Sequence, residues 1–210
     1  MLKSVNSKKN REEGHNLNTL VLEAAEHGDA PMDVYQKLAA DRILFVCGDI
    51  SDELATDIIA TLLLKDSEDS EKKITLFINS HGGDIRNSLM IYDVMTMIQA
   101  PIETVCIGAA FDEAVILLSG GAVGMRFATK HAVVAPSQLL PGLNMHTDLP
   151  GATSLLKQHK IDNDRLMEIL AKTSKKTISQ VRKDFDRRVF FNSTQTVKYG
   201  LIDKVVDFHK

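Results

Sequence analysis

Alternating apolar and polar segments divide the chain into strands and helices. Short apolar runs predict strands at residues 42–48, 74–78, 102–107, 125–128 and 132–135. Apolar residues at helical spacing predict helices at residues 33–40, 51–64, 85–99, 148–171 and 177–183. Ser51 can cap the second helix, and the charged segment 65–73 is expected to be a surface loop. Strands alternating with helices predict parallel βαβ units, and therefore an α/β domain.

The stretch from Val105 to Gly121 is the most informative part of the chain. It is expected to run from a buried strand through a tight turn at residues 108–110 into a helix that begins near Asp112. Such an elbow presents one side chain where backbone N–H groups can stabilise an oxyanion. Hydrolases place Ser or Cys at this point, whereas this chain has Asp112. The simplest interpretation is that Asp112 caps the helix.

Composition and charge narrow the possible functions. The net charge is −3 and there is no basic block, which argues against nucleic-acid binding. No apolar run is long enough to cross a membrane and no signal-peptide core is present, so a soluble cytoplasmic protein is expected. Both cysteines, Cys47 and Cys106, lie in apolar strand-like runs, as buried thiols do in a reducing compartment. Residues 1–30 are expected to form a flexible extension, and residues 31–210 a single domain.

Several motifs occur in a collinear order that is typical of one family. They are Asp41-Arg-Ile-Leu-Phe, Ile78-Asn-Ser-His-Gly-Gly, Ile91-Tyr-Asp-Val-Met, Cys106-Ile-Gly, Gly124-Met-Arg-Phe-Ala and Tyr199-Gly-Leu-Ile-Asp. From about Tyr35 to Val206, the chain resembles ClpP, the proteolytic subunit of the ATP-dependent Clp protease. The resemblance implies a ClpP/crotonase spiral of βαβ units with a long handle helix, here at about residues 138–172. It also implies ring-shaped oligomers, an AAA+ Clp ATPase partner, polypeptide substrates inside the chamber and no cofactor.

The family's catalytic residues are replaced at the matching positions. By this resemblance, the nucleophilic Ser matches Asp112, the His base matches Ser137 and the third member, an Asp, matches Arg188. The segment around Asp112 resembles ClpR, the triad-deficient paralogue of cyanobacteria and plastids, which makes the plastid stroma an alternative location. A carboxylate is a poor nucleophile for an amide, and an unperturbed Ser hydroxyl is not a base near neutral pH. Because losing a triad costs on the order of 10⁶-fold in turnover, the serine-protease mechanism is excluded.

The resemblance assigns further roles to the remaining site residues. Gly83 and Glu113 match the oxyanion-hole positions through their N–H groups, and Asp186 with Arg187 match a pair that bridges two rings. The pocket that receives loops of the ATPase matches Leu63, Phe77 and Met97, whereas a Tyr of that pocket is replaced by Thr75. Weakened docking of the ATPase is therefore expected, because losing an aromatic anchor can cost about 2 kcal/mol or more.

Four alternatives remain open. A crotonase-fold enzyme could hold a thioester or carboxylate with the N–H groups of Gly83 and Glu113, and a homo-oligomeric scaffold could lack a protease partner. His131 could be a displaced base, although nothing pairs it with a nucleophile. A metal site of His81, Asp84, Asp112 and Glu113 is conceivable, but no recognised ligand spacing supports it. The favoured hypothesis is a non-catalytic, ClpR-like subunit in a homo- or hetero-oligomeric Clp barrel.

Overall fold

The computed structural model describes residues 20–23, 30–137 and 148–206. The first two strands, β1 (Leu20–Glu23) and β2 (Ala30–Asp33), pair with each other in antiparallel fashion. Most of the predicted N-terminal extension and the first part of the predicted handle, residues 138–147, lie outside the described residues. The division into an extension at residues 1–30 and a domain at residues 31–210 therefore stays a prediction.

A mostly parallel sheet forms the centre of the fold, as the alternation of strands and helices predicted. Its strands are β3 (Ile43–Cys47), β4 (Ile74–Ser80), β5 (Ile102–Phe111), β6 (Arg126–Thr129), β7 (Val133–Ala135), β8 (Phe191–Asn192) and β9 (Lys204–Val206). The order is β3-β4-β5-β6-β9, and all of these neighbours are parallel. β7 pairs with the far end of β5, and β8 is antiparallel to β7. The α/β architecture is thus confirmed.

Helices pack against this sheet and close the core. They are α1 (Val34–Ala40), α2 (Asp52–Glu68), α3 (Ile85–Met97), α4 (Ala114–Ser119), α5 (Leu149–Ser174), α6 (Ile178–Asp184) and α7 (Ser193–Tyr199). Every residue of α4 is buried, and α4 contacts α3, α5 and β5. The predicted cap of α2 is confirmed, because the Ser51 hydroxyl accepts a hydrogen bond from the N–H of Leu54.

Several predicted boundaries were wrong. β5 continues through the predicted turn at residues 108–110 to Phe111, because β7 provides a new partner strand there. α2 extends to Glu68 into the predicted loop, and buried Lys65 pairs with Glu68 in its last turn. The helix α7 was missed, although Asn192 and Gln195 form a capping box that signals its start.

The long helix α5 has two different halves. Asp148 caps its first turn, and Lys175 in the left-handed conformation ends it. Toward its C-terminus, Leu166, Met167 and Leu170 are fully buried against the core. Toward its N-terminus, a set of large apolar side chains is exposed: Leu155, Leu156 and Ile161. Within residues 30–137 and 148–206, no helix is both long and apolar enough to cross a membrane.

An ion pair connects the C-terminal strand to the middle of the sheet. Arg126 at the start of β6 donates two hydrogen bonds to the Asp203 carboxylate, at 2.6 and 3.0 Å. The same carboxylate accepts the backbone N–H groups of Gly124 and Arg126. The guanidinium is nearly buried, so the pair holds the turn before β9 against β6.

Candidate functional site

Asp112 lies where β5 ends, in a left-handed backbone conformation. Its φ is 47°, in the left-handed region that side chains other than Asn, Asp and Gly rarely adopt. Its N–H donates to the carbonyl of Ala135, so the end of β7 fixes the turn. The strand–turn–helix elbow predicted from the sequence is present, but α4 begins at Ala114 with Glu113 as its N-cap residue. Asp112 thus stands at the point of the elbow, one residue before the cap.

The three positions predicted to match the catalytic triad lie together. The Ser137 hydroxyl donates to Oδ1 of Asp112 at 2.5 Å, and the Arg188 guanidinium pairs with Oδ2 of the same carboxylate. These side chains come from three segments: the end of β5, the segment after β7 and the segment after α6. The prediction that Asp112 caps the helix was wrong, because its two carboxylate oxygens are bound to Ser137 and Arg188 instead.

This trio has a different chemistry from a nucleophile–base pair. The Asp112 carboxylate accepts hydrogen bonds, and the Arg188 guanidinium neutralises its charge. The Ser137 hydroxyl donates its proton to a carboxylate, a far weaker base than imidazole near neutral pH. The arrangement joins three segments of the chain through hydrogen bonds and one ion pair.

Glu113 contributes its side chain, and not only its N–H, to the predicted oxyanion position. The N–H of Gly83 donates to Oε2 of Glu113 at 3.2 Å. Burial raises the pKa of the Glu113 carboxyl, the N–H groups of Glu113 itself and Gly83 oppose that rise, and the nearby carboxylates of Asp112 and Asp84 add to it. Sequence reasoning missed this contact, because it joins two residues that lie 30 positions apart in the chain.

The other two residues of the hypothetical metal site, His81 and Asp84, make separate contacts. Asp84 is the N-cap of α3, where its carboxylate accepts the N–H groups of Arg86 and Asn87. The His81 ring packs on Phe111 with centroids 4.8 Å apart. No group of three or more potential metal ligands is assembled in the described part of the chain, which includes all four residues of that hypothesis. His131, conceived as a displaced base, is exposed after β6.

Residues predicted to contact other subunits lie on the surface of this chain. Asp186 and Arg187 are exposed just after α6, immediately before Arg188 of the trio. Among the predicted ATPase-docking residues, Leu63 on α2 and Met97 at the end of α3 are 42% and 66% exposed. Their assignment to a docking surface stays a prediction.

The residues of the predicted docking surface include both an aromatic and a polar position on β4. Phe77 on β4 stacks on Phe45 of the neighbouring strand, with centroids 5.5 Å apart. Two positions before it, the Thr75 hydroxyl donates to Glu103 at 2.9 Å, and Lys73 pairs with the same carboxylate at 2.7 Å. The position of a family Tyr is therefore occupied by a short side chain that is engaged with a charged pair.

Comparison with known families agrees with the fold and with the collinear motifs. A family model described as Clp protease matches residues 26–209, which is most of the chain. The matched region includes the mostly parallel sheet, the elbow at Asp112 and the handle helix. The chain therefore belongs to the Clp protease family.

Proposed function

We propose that this chain is a catalytically inactive, ClpR-like subunit with a structural and regulatory role in a Clp protease barrel. The observation that carries the proposal is the trio of Asp112, Ser137 and Arg188. Each replaced group binds another replaced group, so the Asp112 carboxylate is engaged by Ser137 and Arg188. A general base with a pKa near neutrality is missing from this trio, and amide hydrolysis requires one.

The exposed half of α5 supports a role in assembly. Members of the Clp protease family form oligomeric barrels with Clp ATPases. Leu155, Leu156 and Ile161 present apolar side chains along a helix that an isolated subunit leaves in contact with water. Because each of them is already about half-buried, burying the remainder against another subunit would stabilise a barrel by about 1 kcal/mol per side chain. The same helix matches the family handle, by which two rings interlock, and Asp186 with Arg187 would lie at that contact.

Thr75 and the neighbouring Lys73–Glu103 pair support weakened binding of the ATPase to this subunit. An apolar loop that inserts beside Thr75 would meet the Lys73–Glu103 pair, whose groups would have to lose water. In a mixed ring, subunits of this type would then reduce the number of strong docking points. Polypeptide substrates would be cleaved by active ClpP-type neighbours.

The crotonase-fold alternative finds less support. That chemistry needs the Gly83 N–H to polarise a carbonyl of the substrate, whereas this N–H donates to the Glu113 carboxylate. A homo-oligomeric scaffold remains the second candidate because the exposed face of α5 would serve it equally well. The two are separated by the mass of the assembly.

Activity and assembly are tested separately. The purified protein should give background peptidase activity and no labelling by a fluorophosphonate, and covalent labelling would refute the proposal. Co-expression with active ClpP-type subunits, followed by native mass measurement, should show mixed rings. In the same assay Leu156→Lys should reduce assembly, whereas Lys157→Ala on the exposed surface of the same helix is the matched control.

A further inference from the structure

The Glu113 carboxylate lies over the Gly82–Gly83 turn. The N–H of Gly83 donates to its Oε2 atom at 3.2 Å. A Cβ atom added to Gly82 would come within 2.4 Å of that same oxygen. The side chain of Glu113 therefore closes the space directly above the turn, on the side to which the Gly83 N–H points.

The turn itself is rigid, so the direction of the Gly83 N–H is fixed. Ile50 donates its N–H to the carbonyl of Gly82 at 3.0 Å and accepts the N–H of Asp84 at 3.2 Å. The N–H of Gly82 donates to the Ser80 hydroxyl at 3.1 Å. These bonds hold both neighbours of Gly83, and the Gly83 N–H is the donor that points to Glu113.

Two effects oppose a negative charge on the Glu113 side chain. Burial and the nearby carboxylates of Asp84 and Asp112 both oppose ionisation of Glu113 and raise its pKa. Arg188 already pairs with Asp112, and Asp84 accepts the first N–H groups of α3. Contact with backbone N–H groups is what favours the ionised form of Glu113, which makes the Gly83 N–H a donor already bound to an anion.

We propose that Glu113 is an intramolecular plug whose carboxylate occupies the Gly83 N–H that would otherwise bind a developing oxyanion. The inference rests on the proposed function, because it adds a second block at a site where the nucleophile and base positions are already replaced. A substrate oxyanion at this N–H would compete with the carboxylate for the donor and would be repelled by its charge. Restoring a triad alone should therefore leave the reactivity of this scaffold on the order of 100-fold below that of a site with a free Gly83 donor.

The experiment combines restoration of the triad with removal of the plug. The triple variant Asp112→Ser, Ser137→His, Arg188→Asp should be labelled by a fluorophosphonate only slowly, because it has a nucleophile and a base but lacks the free Gly83 donor. Adding Glu113→Met should raise the labelling rate on the order of 100-fold, the effect of gaining one oxyanion donor. Adding Glu71→Met instead, at an exposed carboxylate beyond the end of α2, is the matched control and should change nothing. Equal labelling with and without Glu113 would overturn the inference.

A second measurement needs no restored triad. In the otherwise native protein, Glu113→Met should accelerate hydrogen exchange of the Gly83 amide about 5- to 10-fold, as expected for the loss of one hydrogen bond. Glu71→Met should leave that amide unchanged, and an unchanged rate in Glu113→Met would also overturn the inference. Labelling of the wild-type protein would refute the proposed function instead, while exchange at Gly83 would still decide whether Glu113 occupies the donor.

Discussion

Two Arg–Asp ion pairs in this protein differ in geometry and in surroundings: Arg126 contacts both carboxylate oxygens of Asp203, whereas Arg188 contacts one oxygen of Asp112. In Arg126–Asp203, the side chains are 9% and 22% exposed, and the carboxylate also accepts two backbone N–H groups. In Arg188–Asp112, they are 42% and 19% exposed, and a Ser hydroxyl supplies the other bond to the carboxylate. The first pair lies in motifs shared with the family, and the second lies where the resemblance places catalytic residues.

The two ion pairs differ in how much each contributes to the stability of the fold. The Arg126 guanidinium is nearly buried, and the Asp203 carboxylate that it contacts also accepts backbone N–H groups. Removing the guanidinium would leave the charge of that carboxylate unpaired. An ion pair with a largely exposed guanidinium is screened by water and contributes little to stability. We infer that the fold depends more on the first pair than on the second.

The largest effect is expected from Arg126→Ala. This change leaves the Asp203 carboxylate without its cation and should lower the free energy of unfolding by about 3 kcal/mol. Chemical unfolding at fixed protein concentration measures it, with Arg182→Ala as a control because Arg182 pairs with Asp164 at the surface. A loss no greater than that of Arg182→Ala would remove the proposed contrast.

Gly83→Ala tests whether the close approach of Gly83 to Ile50 contributes to the stability of the fold. A Cβ atom there would lie 2.4 Å from the backbone nitrogen of Ile50, where nothing can move without breaking the turn. We expect a loss of about 2 kcal/mol in the free energy of unfolding, as for other overpacked positions. Gly124→Ala is the comparison for space alone, since nothing lies within 4 Å of its added Cβ, although its positive φ carries a smaller cost of its own. If Gly83→Ala is the milder of the two, the close approach to Ile50 is unimportant.

Features that depend on residues close together in the sequence were predicted correctly. The cap at Ser51 and the parallel α/β alternation depend on residues a few positions apart, and both are confirmed. The end of β5 was predicted wrongly because small residues at 108–110 suit a turn as well as a strand. What decides between them is β7, which pairs with Ala109, Ala110 and Phe111 from more than 20 residues away.

The candidate site shows the same limit. Its positions were predicted by resemblance, and the structure brings Asp112, Ser137 and Arg188 together. The role of the Asp112 side chain was predicted wrongly, because helix caps are local whereas Arg188 lies 76 residues further along the chain. The contact of Glu113 with Gly83 was likewise invisible, since it spans 30 residues and depends on how the turn faces α4.

A smaller effect is expected from Asp112→Asn. Asn tolerates the left-handed conformation, so the substitution removes the ion pair with Arg188 and little else. The free energy of unfolding should fall by less than about 1 kcal/mol. Asp112→Ala should cost about 1 kcal/mol more, because Ala is strained at this φ. If Asp112→Asn costs as much as Arg126→Ala, the two pairs are energetically alike and the contrast fails.

The smallest effect is a difference in the pH dependence of stability between the two regions. Burial opposes ionisation of Asp203, but the hydrogen bonds and charge of Arg126 outweigh it, so its pKa in the folded protein lies below the usual 3.8. The folded state thus binds this proton more weakly than the unfolded chain. The stability from Asp203 is complete above pH 3.8 and is lost as the pH falls through the lower value.

Glu113 should act with the opposite sign. Burial raises its pKa above the usual 4.5, so folding binds the proton more tightly, and stability decreases as the pH rises from 4.5 through the folded value. Each carboxyl contributes at most about 1.4 kcal/mol per pH unit. Unfolding curves at a series of pH values should show that Glu113→Gln removes the decrease above 4.5 and Asp203→Asn the loss below 3.8. If both variants changed the pH dependence of stability in the same direction, this assignment would be contradicted. Burial disfavours the ionised form of Glu113, whereas Arg126 favours the ionised form of Asp203, so protonation must change the two contributions to stability in opposite directions.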